Sequence, residues 1–156
     1  EATINASAQT IFDIVSDPSR HAELAGSDEL NKVGQAPAGP VGTGTHLLAE
    51  ETVVMADGST MDLTADSIVV THDAPNSFSW IVNPALGEQV RRLQWWFNMS
   101  PEGDGVKVVH EVELDWGDIQ DEMLRGLRDN YEAVRAGVVR SGMDNTLKNL
   151  KRMAEG

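Results

Sequence analysis

The order of elements constrains this chain more than any single residue does. Residues 1–6 alternate and read as a strand, two short helical stretches follow, and further strands come next, joined by tight turns. A helical period then runs from Asp118 almost to the C-terminus. Short links join antiparallel neighbours, because a parallel pair needs a crossover of a dozen or more residues. The pattern predicts a meander closed by a helix, not alternating strand–helix units. The expected fold is α+β: a strongly curved antiparallel sheet of about seven strands around a long C-terminal helix, with two short helices after the first strand. One helix cannot fill the concave face of such a sheet, which predicts a cavity for a small apolar molecule.

Local signals place the elements. Ser7 is an N-cap ahead of Ala8, Ile11, Phe12 and Val15, which keep helical spacing. Asp17 and Pro18 stop that helix and start another, and Gly26 ends it. Strands are expected at residues 29–35, 43–55, 60–72, 77–82, 90–99 and 106–115. Turns separate them at 36–42, 56–59, 73–76, 83–87 and 101–105. Ile119, Met123, Leu127, Tyr131, Val134 and Val138 then step by three or four, and after Val139 the series continues through Met143, Leu147 and Leu150. Asp118, Asp121 and Glu122 suit a helix N-terminus, and Lys148, Lys151 and Arg152 suit its C-terminus. Gly126, Gly137 and Gly142 each cost about 1 kcal/mol relative to Ala in a helix interior. A break near Gly126 or Gly137 is expected, giving a short helix and then a long one. Its last part, residues 142–153, should cross the concave face.

Strand parity sorts inward from outward side chains. Val106, Val108, His110, Val112 and Leu114 share the apolar face of the last strand. Leu93, Trp95, Phe97 and Met99 share a face of the strand before it, so Trp95 and Phe97 point inward. Trp96 points outward and is expected to be much more exposed than Trp95. Phe78, Trp80 and Val82 face in. The strand from Thr43 is ambiguous: Thr45, Leu47 and Ala49 share one face, and His46, Leu48 and Glu50 the other. The expected ligand-facing residues are Trp80, Trp95, Phe97, His110, Tyr131, Phe78, Val108 and Val112, with His110 and Tyr131 the candidates for a catalytic group. A buried aromatic cluster is also ordinary core, and a histidine on an apolar face is more often hydrogen-bonded core than a catalyst.

Net charge is −13, and residues 1–90 carry −11 of it, because only Arg20 and Lys32 oppose thirteen acids there. An acidic chain repels phosphate backbones and anionic headgroups, which argues against nucleic-acid and peripheral-membrane binding. No apolar run approaches a membrane span, and no basic-then-apolar leader is visible. With no Cys, the chain has no disulfide, thiol nucleophile or zinc–thiolate site. The sequons at Asn5 and Asn98 are weak, and a cytoplasmic location is the default expectation. Glu1 falls inside the first strand, so residues are expected before it.

Chemical motifs are scarce. His21, His46, His72 and His110 lie far apart, without the spacing of a helical zinc site. His46 and His110 could meet across the sheet, but no third ligand accompanies them. Gly39, Gly42 and Gly44 precede a strand and not a helix, so they are no phosphate loop. There is no Gly-x-Ser-x-Gly. Asp118, Asp121 and Glu122 lack the spacing of a calcium loop. No inward carboxylate pair suggests glycoside chemistry. No cofactor and no metal are expected.

Several stretches carry a resemblance: residues 4–8 and 11–18, Val41-Gly42-Thr43 opening a long strand, Ala74-Pro75 ahead of Phe78-Ser79-Trp80, and Gly142-Met143 followed by Thr146-Leu147 and Leu150-Lys151. Together they make the chain resemble the SRPBCC superfamily, the START-related helix-grip proteins, and within it the bacterial polyketide cyclase/dehydrase-like proteins. The resemblance implies a deep apolar pocket between sheet and C-terminal helix. Members bind lipids, hormones or polyketides, and some cyclise or dehydrate bound polyketides. No catalytic motif of the superfamily carries over onto residues here. The segment from Trp116 to Gly137 exceeds what a minimal member needs and is expected to add a helix beside the pocket mouth.

Three functions fit. The first is a module that binds a small hydrophobic ligand as a monomer or homodimer. The second is a cyclase, aromatase or dehydratase in which His110 or Tyr131 moves a proton. The third is a protein-interaction module, which an exposed apolar patch around Trp96 would favour.

Overall fold

The computed structural model describes residues 1–55, 57–83 and 92–156. Its strands are β1 (Ala2–Ile4), β2 (Leu30–Ala36), β3 (His46–Val54), β4 (Thr60–Asp73), β5 (Ser77–Asn83), β6 (Arg92–Glu102) and β7 (Gly105–Asp115). They form one antiparallel sheet in the order β1-β7-β6-β5-β4-β3-β2. Each link from β2 to β7 joins neighbours, and β1 closes onto β7. Ala56 of the expected 56–59 turn, the 84–87 part of the turn after β5, and the 90–91 start of the next strand lie outside the described residues.

The helices are α1 (Ala8–Val15), α2 (His21–Leu24), α3 (Glu122–Asp129) and α4 (Gly137–Glu155), with a 3₁₀ turn at Pro18–Arg20 and a π-helical turn at Glu132–Ala136. Ser7 caps α1, its side chain accepting from the Thr10 N–H at 3.0 Å, and Asp17 caps the 3₁₀ turn. The helical break falls at Asn130, between the two glycines expected to cause it. Gly126 lies inside α3, and Gly137 opens α4 directly after the π turn.

Two strand ends differ most from the sequence reading. β3 starts at His46, because residues 42–45 make a turn: Gly44 takes φ +90°, and the Thr45 N–H donates to the Gly42 carbonyl at 3.0 Å. β6 runs through Pro101, which pairs with Val106 on the β7 side only. Its missing N–H costs no ladder bond on the β5 side, where pairing ends at Asn98.

The core sits at one end of the grip. Ile11, Phe12, Ile14 and Val15 of α1, Leu24 of α2, and Leu147 and Leu150 of α4 pack onto Ile4, Leu47, Val69, Phe78, Phe97, Met99, Val106 and Val108. α2 is clamped to α4 at close range. The Gly26 N–H donates to Thr146 Oγ1 at 2.9 Å, and Asn149 Nδ2 donates to the Leu24 carbonyl at 3.2 Å. A Cβ on Gly26 would stand 2.1 Å from the Gly142 carbonyl oxygen, so only glycine permits this approach.

Candidate ligand-binding site

The pairing register turns parity into a map of the concave face. Val108 opposes Met99; His110 opposes Phe97, which opposes Phe78 and then His72. In the next row Val112, Trp95, Trp80 and Val69 stand side by side. Further on come Val82, Ser67, Leu47 and Gln35, then Ala65, Ala49 and Val33, then Leu63, Glu51 and Leu30. The ambiguity in β3 is resolved: Leu47, Ala49 and Glu51 face in, while His46 and Leu48 face out. In β4 a bulge at Val70 shifts the register, so Val69 and His72 both face in and Val70 is exposed.

Burial falls along the β5–β7 part of this face, while Val69 on β4 and Leu47 on β3 stay buried. Phe78 and Val108 are 0% exposed and Phe97 is 1% exposed, all within the packed core. Trp80, Trp95, Val112, Leu93, Leu114, Val82 and Leu63 are only half-buried. Ala49 and Ala65, two small side chains, oppose each other further along this face. The helices that follow β7 cover this half lightly. α3 has no buried residue, Leu124 and Leu127 are half-buried, and Met123 is 76% exposed.

His110 is a polar group within the aromatic wall. Its ring stacks on Phe97 at 4.1 Å with an interplanar angle of 2°, and on Trp95 at 5.6 Å. Its Nδ1–H donates to the Trp96 carbonyl at 2.9 Å, which fixes the tautomer and leaves Nε2 as an acceptor. No partner faces Nε2 among the described residues. Burial lowers the His110 pKa to about 4, against the opposing effect of that hydrogen bond. The ring is therefore neutral at pH 7.

Tyr131 precedes the π turn, packs edge-on against Trp116 at 5.7 Å, and burial raises its pKa. It borders a polar cluster that the sequence reading missed. Arg135, in the π turn, makes a two-pronged ion pair with Glu29 ahead of β2, at 3.0 and 3.2 Å. Glu51 and Tyr131 lie within electrostatic reach of that guanidinium. Burial first, and then Glu29, raise the Glu51 pKa, while Arg135 opposes them.

Other expectations need correcting. His46 and His110 do not meet: three strands separate theirs, and His46 Nδ1 donates to Asp66 on the convex face at 2.8 Å. Trp95 is not part of the buried core, and it and Trp96 are both half-buried. Their directions follow parity, but Trp95 stands beyond the packed core. Trp96 covers part of itself against its outer-face neighbours Ser79 and Glu111. His21 was also missed. It is buried against Phe78 and Trp80, its Nε2–H donates to the Val15 carbonyl at 2.8 Å, and burial lowers its pKa. No metal-binding group of His and acids occurs among the described residues, and none of their helices is long and apolar enough to cross a membrane.

A curved antiparallel sheet gripping one long helix, with an apolar concave face between them, defines the helix-grip fold. Within it, the chain belongs to the polyketide cyclase/dehydrase and lipid transport family, whose model matches residues 1–155. Solved structures share the fold at low identity. TTHA0849 from Thermus thermophilus aligns with a TM-score of 0.64 and 15% identity over 98% of this chain and 92% of its own. The di-domain ARO/CYC StfQ from the steffimycin biosynthetic pathway aligns at 0.66 and 12%, over 99% of this chain and 48% of its own. Major latex-like protein 151 from Panax ginseng aligns at 0.65 and 11%, over 98% and 93%. No curated protein matches the chain in sequence.

Proposed function

We propose that the chain binds a small hydrophobic molecule, lipid-, polyketide- or aromatic-like, between the concave face of the sheet and the helical segment after β7. The observation that carries this reading is the fall in burial along the β5–β7 part of the apolar face. Phe78 and Val108 have no exposed surface, while Trp80, Trp95 and Val112, one or two rows on, are half-buried. An apolar wall with a few polar groups is what a small-molecule site needs. Trp80, Trp95, His110 and Val112 form the contact surface, Phe97 lies beneath the His110 ring, Phe78 and Val108 back the wall, and Tyr131 belongs to the polar edge.

The family description supports a hydrophobic ligand and leaves cyclase or dehydratase chemistry as the second reading. His110 is the group that reading would use, because its tautomer is fixed and its Nε2 is an acceptor. A pKa of about 4 makes it a weak base, whereas general acid–base catalysis works best near the operating pH. That favours binding over catalysis. The interaction-module reading loses its motivation, since the neighbours of Trp96 on the outer face are Ser79, Gln94, Asn98 and Glu111.

The test is titration with Nile red, a neutral probe whose emission reports an apolar surrounding. Wild type should bind it, and Ala65→Trp, which puts a large side chain opposite Ala49, should weaken binding at least tenfold with the fold intact. Equal binding by the folded variant would refute the placement.

A further inference from the structure

The polar edge of the site carries information about the ligand that the apolar wall does not. Glu51 stands on the concave face between Leu30 and Leu63 on the adjacent strands. Among the described residues no group hydrogen-bonds to its carboxylate. Arg135 is the nearby cation, and each of its terminal nitrogens gives one N–H to Glu29. That pair ties the π turn to the start of β2 and is mostly shielded, with side-chain exposures of 28% and 18%. Glu29, Glu51 and Arg135 together sum to −1 when ionised. On the aromatic side His110 is neutral and presents an acceptor, while His21 and His72 pack against Phe78.

We propose that Glu51 makes the site charge-selective: it receives a neutral ligand through a hydroxyl or amine donor and turns away carboxylates and other anions. This rests on the binding-site reading above and adds the chemistry of the ligand's polar end. A donor meets an acceptor at either side of the concave face, Glu51 on β3 or His110 Nε2 on β7. An anion meets an unneutralised carboxylate on a wall whose low polarity strengthens like-charge repulsion. Hydrogen bonds to a charged acceptor are the stronger ones, so a single donor should raise affinity about tenfold or more.

The experiment measures three probes of one shape at pH 7.5 by calorimetry: naphthalene, 2-naphthol and 2-naphthoate. Wild type should bind 2-naphthol about tenfold more tightly than naphthalene, and 2-naphthoate about tenfold or more weakly than 2-naphthol. Glu51→Gln should bring naphthoate to within about threefold of naphthol. Glu29→Gln, which frees Arg135, should also raise naphthoate affinity and serves if Glu51→Gln does not fold. Naphthalene binding with equal affinity for naphthol and naphthoate in wild type overturns the charge selectivity and leaves the apolar site standing. Discrimination that persists in both folded variants overturns the assignment to Glu51. Failure of all three probes to bind overturns the apolar site itself, and the selectivity with it.

Discussion

His110 allows a test in which pH is the perturbation. The folded chain holds the ring at a pKa of about 4, and the unfolded chain returns it to about 6.5. Because the folded value is the lower one, the unfolded chain binds more protons between the two. Stability is therefore undiminished above about pH 6.5, falls as pH drops through the window, and levels off below about pH 4. The full gap corresponds to about 3 kcal/mol, of which about 2 kcal/mol is lost by pH 5. His110→Phe isolates the effect, because an aromatic ring keeps the stacking on Phe97 and removes the titration. Losing the hydrogen bond to the Trp96 carbonyl costs about 1 kcal/mol at every pH and cancels in the comparison. Urea unfolding at pH 7.5 and pH 5.0 gives the stability of each protein by linear extrapolation. Wild type should lose about 2 kcal/mol more than the variant between those two values. The buried His21 shifts in the same direction, but it is common to both proteins and drops out. Equal pH dependence in wild type and variant would refute the buried, neutral His110 on which the reading of the wall depends.

Two further outcomes follow from the same geometry. Gly26→Ala places a methyl group 2.1 Å from the Gly142 carbonyl oxygen, so α4 must move, at a cost of about 1–3 kcal/mol in urea unfolding. Gly34→Ala is its control: a Cβ there meets nothing within 4 Å, and the change should stay within about 0.5 kcal/mol. His110→Ala separates binding from catalysis. A binding module should lose at most about tenfold in affinity for 2-naphthol, whereas an enzyme using His110 as its general acid or base loses turnover by about 10²–10⁴.

The sheet was legible because one face of each strand is apolar and the turns are short. Val106, Val108, His110, Val112 and Leu114 could be placed on one face from parity alone. β3 was not legible, because Leu47 and Leu48 are adjacent and either could face in. Only the pairing of Leu47 with Ser67 and of Ala49 with Ala65 decides it. The bulge at Val70 lies next to Ile68 and Val69, three apolar residues in a row, so composition does not mark the extra one. The Glu29–Arg135 pair spans 106 positions, and no local pattern announces a contact of that range. A π turn of five residues fits helical spacing as well as an α-helix does over so short a stretch. Parity gave the direction of Trp95 and Trp96 but not their exposure. Exposure depends on where the helices stop covering the sheet.

The central claim is that the half-buried end of the concave face holds an apolar molecule. The most direct measurement is NMR of the labelled chain titrated with naphthalene, a neutral probe that makes no demand on the polar edge. Saturable shifts should appear at the indole N–H groups of Trp80 and Trp95 and at the methyl groups of Val112 and Leu63. Val106 and Val108, in the packed core, should move little. Saturable shifts centred instead on the convex face around Trp96, or no saturable shifts at all, would contradict the claim.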